Sequence, residues 1–241
     1  MSNRTCLKAQ SSHASVLLFF LCLYLLSGFC VSAAAQKEPV IVAGKSFLIE
    51  FPNGLCEGSK TDWGIEYKKY LLELGIAAGG KPRIASVIAD CDFVASAKED
   101  GLPSTWGYLA FDKNVGTYWF GQKLLNKRMR KEVQRHDIDK QSAIDLKEIT
   151  NNSLKKLKSN LSIGEIRRIG KPIESQRGFL LTALARLESK AEIIDVYLTT
   201  VTFIRNRQII TFAIYKRAIS ETNLDQVHSM GKQFLELLSD T

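Results

Sequence analysis

Histidine is the scarcest of the chemically versatile side chains here: three in 241 residues, and beyond residue 35 only His136 and His228. Zinc needs three or four convergent ligands at short spacing. Two distant histidines and no Cys-x-x-Cys pair do not offer them, and the usual general base is equally rare. The segment His136-Asp137-Ile138-Asp139 lacks the glycine and terminal glutamate of a calcium loop and reads as a solvated interhelical turn. Nucleophile elbows, His-Glu-x-x-His and Ser-x-x-Lys sets are missing as well. "GIAAGG", residues 75–80, reads as the end of a helix and not as a phosphate-binding loop. No metal and no cofactor are expected. Past residue 31 the chain also lacks any apolar run long enough to span a bilayer, which takes about 18 residues or more.

What is present begins with a different material. Arg4 and Lys8 precede the apolar run Val16–Val31, which runs into Ser32-Ala-Ala-Ala35. This is the layout of a secretory signal peptide, with Ala33 and Ala35 in small-x-small spacing and cleavage expected before Gln36. An uncleaved anchor is the alternative. A lipoprotein is disfavoured by Phe29, which stands before Cys30 where a small residue is needed. Residues 1–35 are therefore taken as the signal and 36–241 as one exported domain. Removing Arg4 and Lys8, from a segment without acidic residues, leaves +6 of the chain's +8. A basic exported protein is drawn to anionic lipid, glycan or acidic protein surfaces.

Along the exported part, "PVIVA" and "KSFLIEF" are extended runs stopped by Pro52-Asn53-Gly54. Thr61-Asp62 starts a helix whose face carries Tyr67, Leu71, Leu74 and Ala78. Residues 83–91 and 104–111 are strand candidates around a short helical turn at 93–98. Two helices are expected at 120–134 and 142–161, separated by a turn at His136-Asp137, before "SIGEIRRIG" returns to extended structure. Residues 178–187, "EIIDVYLTTVTFI" and "QIITFAIYK" are strands, the last two joined as a hairpin through Arg205-Asn206-Arg207. Thr222 to Asp225 has the form of a capping box, and Leu224, Val227, Gly231, Phe234, Leu235 and Leu238 form one helix face. The resulting class is α+β: an antiparallel sheet flanked by helices.

The succession of a short strand before "FPNG" and then "VTFIRNRQIITFAIYKRA…NLDQVHSMGKQFLELL" resembles the PsbP-like α/β/α sandwich. That is the fold of the extrinsic photosystem II subunit and of small exported bacterial proteins. The likeness covers residues 46–56 and 177–239 and implies a fold only. The pairing of "FPNGLC" with "VIADC" is also similar to that of uncharacterised exported bacterial proteins. Neither resemblance implies catalytic residues.

Cys56 and Cys91 are most simply one disulfide, because the compartment is oxidising and the first 35 residues take the other three cysteines away. A reactive thiol is the alternative, but Glu57, Asp90 and Asp92 would disfavour its thiolate. Six cations crowd residues 123–135: Lys123, Lys127, Arg128, Arg130, Lys131 and Arg135, against Glu132 alone. On a helix they alternate with Leu124, Leu125, Met129 and Val133, a pattern suited to an anionic membrane surface or an acidic partner, or to a plain solvated face. Nucleic acid is not expected, since no recognition motif is present. Aromatic clusters at Trp63/Tyr67/Tyr70 and at Trp106/Tyr108/Tyr118/Trp119/Phe120 fit either a sugar or peptide groove or core packing. Asn151 and Asn160 begin glycosylation-acceptor triplets, which matter only in a eukaryotic host.

The favoured function is a non-catalytic binding or envelope accessory factor, periplasmic or secreted, whose partner is a protein, glycan or anionic envelope surface. An envelope hydrolase or thiol enzyme is the alternative. A free Cys56 thiol, or a cleft joining a histidine to two carboxylates, would favour the enzyme.

Overall fold

The computed structural model describes residues 37–42, 45–77, 81–96, 103–112, 121–138, 162–188, 192–205 and 207–238, with isolated positions at 148, 151, 152, 154 and 155. Ala35–Thr241 separates as one unit from Met1–Ala34, and all described residues lie in the former. The elements are β1 (Lys37–Val42), β2 (Lys45–Glu50), β3 (Leu55–Glu57), α1 (Asp62–Ala77), β4 (Pro82–Asp90), α2 (Cys91–Ser96), β5 (Thr105–Asp112), α3 (Gln122–Ile138), β6 (Ser162–Glu174), β7 (Phe179–Glu188), β8 (Ile193–Arg205), β9 (Gln208–Arg217) and α4 (Glu221–Leu237).

Strands β3 to β9 form one seven-stranded sheet in the order β3-β4-β5-β9-β8-β7-β6, with every neighbouring pair antiparallel. β1 and β2 make a separate hairpin. The class is α+β, as the succession of strand runs and a terminal amphipathic helix predicts. The β8–β9 hairpin closes between Arg205 and Gln208, and Arg207 takes a φ of 62° there. A right-handed twist requires such positive angles in a two-residue loop. Gly54, at φ 84°, turns the chain after Pro52-Asn53 and lets its carbonyl accept from the Cys91 N–H at 3.0 Å.

The two faces of the sheet are covered differently. α4 lays Val227, Phe234 and Leu235 on Leu180, Val201, Phe203, Ile210, Phe212 and Ile214, where Val40, Ile49 and Phe51 complete the core. Gly231 marks the closest approach: a Cβ there would sit 2.3 Å from Thr199 Cγ2 and 3.1 Å from Leu180 Cδ1. On the opposite face Trp106, Ala185 and Val196 form a second cluster with Trp63 and Tyr67 of α1 and Tyr215 of β9.

Three local expectations need correction. No turn interrupts the chain at His136-Asp137, because α3 continues to Ile138; no glycine or proline stands there, and its polar residues tolerate helix. The cap of α4 is Ser220, not Thr222, and Asn223 Oδ1 accepts from the Ser220 N–H at 3.1 Å. An asparagine carboxamide serves the third position as well as a carboxylate does. Cys91 opens a helix and does not end a strand. The helix expected at 142–161 lies mostly outside the described residues, though 148, 151, 152, 154 and 155 are helical and Leu154 is buried. Among the described residues no helix is long and apolar enough to cross a membrane.

Candidate functional site: a basic helix fastened by polar side chains

Cys56 of β3 and Cys91 at the start of α2 are joined as a disulfide, with S–S 2.09 Å and Cα–Cα 4.8 Å. Cys56 lies opposite Ala89 in the β3–β4 ladder, so the bridge clips an edge strand of only three residues to the turn that follows its neighbour. Both thiols are consumed, which removes the nucleophile that the thiol-enzyme alternative needs.

His228 is also committed. Its Nδ1 lies 2.9 Å from Thr182 Oγ1, and that hydroxyl lies 3.0 Å from Thr199 Oγ1. A hydroxyl against an imidazole is the first half of a nucleophile–base pair. Here, however, Thr182 is only 4% exposed and Thr199 not at all, so no substrate reaches either oxygen. The trio serves as a polar tie between α4 and the sheet. Burial, and then the nearby Lys232 cation, hold the His228 pKa below its usual value, with Asp225 opposing weakly. His136 lies in the last turn of α3, and among the described residues no three metal-ligating side chains converge.

The two aromatic clusters of the sequence meet in space. Trp63 stacks on Tyr67 at 5.2 Å, and Phe93 meets Trp63 edge-on at 5.5 Å. Trp106 stacks on Tyr215 at 5.7 Å, and Tyr108 tilts against Tyr215 at 6.1 Å. The Trp106 indole N–H serves the Tyr67 hydroxyl, and the Tyr215 and Tyr108 hydroxyls pair. Desolvation by burial is the main reason all three tyrosines are pushed above the ordinary phenol value, so they stay protonated. Trp106 is 7% exposed, and the stacked faces of Trp63 with Tyr67 and of Trp106 with Tyr215 are turned to one another. The cluster is the cement between α1 and the sheet. Tyr118 and Trp119 lie outside the described residues. Tyr215 escaped sequence reasoning, since alternation within "TFAIYK" gives no hint that it opposes Trp106.

The basic run behaves differently. Leu125 and Asn126 are buried, and Gln122, Met129 and Val133 are half-buried, so positions i, i+3, i+4, i+7 and i+11 face the protein. Much of the attachment is polar. Gln122 Oε1 accepts the Ile204 N–H at 2.8 Å, and Gln122 Nε2 donates to Asn126 Oδ1 at 2.7 Å. Asn126 Nδ2 donates to the Ser175 carbonyl at 2.7 Å. Arg130 grips Glu174 with both arms, Nε–Oε1 at 2.7 Å and Nη2–Oε2 at 2.5 Å. That pairing raises the Arg130 pKa further and removes Arg130 from the set of outward cations.

Lys123, Lys127 and Lys131 remain, all exposed and four residues apart. At 1.5 Å of rise per residue the stripe is about 12 Å long. Arg128 is exposed on the same side, and Leu124, 40% exposed, lies among these cations. Gln122, Asn126 and Glu174 were not singled out in the sequence. The i,i+4 spacing of Gln122 and Asn126 was the available signal, whereas Glu174, 44 residues from Arg130, gave none. Asn151 spends its carboxamide on β6: Nδ2 donates to the Ile163 carbonyl at 3.0 Å and Oδ1 accepts its N–H at 2.7 Å. Asn160 lies outside the described residues.

No family model, curated protein or solved structure matches this chain.

Proposed function

We propose that this chain is an exported, non-catalytic binding factor that docks on an anionic envelope surface through the outward face of α3. The observation that carries this reading is the separation of charge on that helix. Polar contacts bind one side to the strands, and the side carrying Lys123, Lys127 and Lys131 faces solvent. Because the inner side of α3 is fastened, its outward cations can meet a partner without rearrangement of the helix backbone, which favours docking over a merely solvated helix.

Export is supported by the signal-like residues 1–35 and by the Cys56–Cys91 disulfide, since disulfides persist in oxidising compartments. A non-catalytic role is supported by the commitments of the reactive groups. The cysteines are joined, His228 is tied to Thr182, and Asp90 Oδ2 accepts from Ser104 Oγ and the Thr105 N–H, both at 2.8 Å. The PsbP-like α/β/α layering belongs to the same proposal; α4 on one face and α1 on the other support it.

The test is sedimentation of the secreted protein with isolated envelope fractions across a salt series. Binding should weaken steeply as salt rises and disappear when Lys123, Lys127 and Lys131 are all changed to Glu. Binding that ignores both salt and charge reversal overturns the proposal.

A further inference from the structure

We infer that the outward face of α3 is an interfacial docking surface for a lipid bilayer with anionic headgroups, on which the helix lies parallel to the membrane plane. This deepens the docking function proposed above and rests on it.

α3 is held to the rest of the domain by polar side chains. Its polar contacts fall at three successive turns of its first half: Gln122 at the first turn, Asn126 one turn on, Arg130 one turn beyond that. A helix fastened at three successive turns presents its far side as a line, not a tip. That line carries Lys123, Lys127 and Lys131, with exposed Arg128 alongside, while Glu132 falls on the flank between the two faces. A row of cations about 12 Å long at a regular spacing matches a plane of phosphates better than a single acidic side chain.

The second observation is Leu124. It is 40% exposed although the residue beside it, Leu125, is 3% exposed. Four residues separate Leu124 from Arg128, and Lys123 and Lys127 flank it, so an apolar side chain sits inside a ring of cations. In water this costs solvation and gains nothing. At a bilayer it places the leucine at the headgroup–acyl boundary while the lysines snorkel to the phosphates. A soluble acidic protein would reward the charges and leave Leu124 without a role. Net charge acts in the same direction: without Arg4 and Lys8 of the signal-like segment, +6 of the chain's +8 remains.

The experiment uses the full exported chain with three probes: phosphatidylcholine vesicles, the same vesicles containing phosphatidylglycerol, and soluble polyglutamate. The expected result is binding to the phosphatidylglycerol vesicles only, weakening as salt rises. Changing Lys123, Lys127 and Lys131 together to Glu should weaken vesicle binding at least about 100-fold. Changing all three to Arg should retain it, and Leu124→Asp should weaken it severalfold, with unaltered circular dichroism certifying the fold of each variant. Vesicle binding that survives the triple reversal overturns the assignment of the surface. Equal binding to polyglutamate, indifferent to Leu124→Asp, overturns the bilayer while leaving anionic docking intact. Binding to none of the anionic probes overturns both.

Discussion

The α4 face and the α1 face of the central sheet solve the same problem with different chemistry. Under α4 the contacts, apart from the His228–Thr182–Thr199 tie, are aliphatic and phenylalanine rings: Phe212 and Phe234 stack with centroids 3.8 Å apart, and Phe51, Phe203 and Val201 are sealed around them. Under α1 the rings are Trp63, Tyr67, Tyr108, Trp106 and Tyr215; the polar tips of Tyr67 and Trp106 and of Tyr108 and Tyr215 are paired, and all but Trp106 remain half-buried as residues. α1 itself buries no residue fully but Gly64. A fully dry core maximises transfer free energy per side chain, whereas tyrosine and tryptophan tolerate a partly wet one because their polar ends find partners. Stability should therefore be concentrated on the α4 side, and the α1 side should open at lower cost.

Paired truncations on the two faces should differ most. Phe234→Ala should cost about 3–5 kcal/mol in chemical denaturation. Trp63→Ala, although it removes more atoms, should cost clearly less; equal losses would show that the faces do not differ. Next in size is the bridge between β3 and α2. Replacing Cys56 and Cys91 by Ser should remove roughly 3–4 kcal/mol, the loop-closure value for a separation of 35 residues. Hydrogen exchange should then show β3 and α2 opening first, with the α4 face still protected. Asn126→Ala strands the Ser175 carbonyl and should cost about 1–3 kcal/mol, read as faster exchange in α3 without change in α4.

The smallest effect is a pH dependence on the α4 side. Because the folded protein lowers the His228 pKa, the unfolded chain binds a proton more readily. The contribution of His228 is thus complete above the ordinary histidine value of about 6.5, and falls as pH drops from there to the folded value. Thermal melts should record that decline. His228→Asn, which keeps a polar partner for Thr182, should flatten it; an unchanged slope would assign the proton uptake to other groups.

How far the sequence reaches differs between elements. β8, β9 and α4 are legible because their signals are local: alternating β-branched residues, a two-residue polar loop, and an apolar stripe with helical period. The exact α4 cap is not, because Ser220 and Thr222 both head acceptable boxes and only backbone geometry selects Ser220. The disulfide is legible by elimination, since Cys91 is the one partner left for Cys56 once residues 1–35 are read as a signal. Lys123, Lys127 and Lys131 are legible as cations on a helix, yet nothing local separates them from Arg130, whose Glu174 partner lies on β6.

The amino-acid sequence carries the class of the fold, the pairing of Cys56 with Cys91 and the composition of the basic helix, because each depends on residue types and their order along the chain. Tertiary structure alone decided that β6 lies at the sheet edge beside β7, that Tyr215 joins Trp106, and which cations of α3 face solvent. These depend on contacts between residues distant in sequence, whose free energy exists only once the chain has closed on itself.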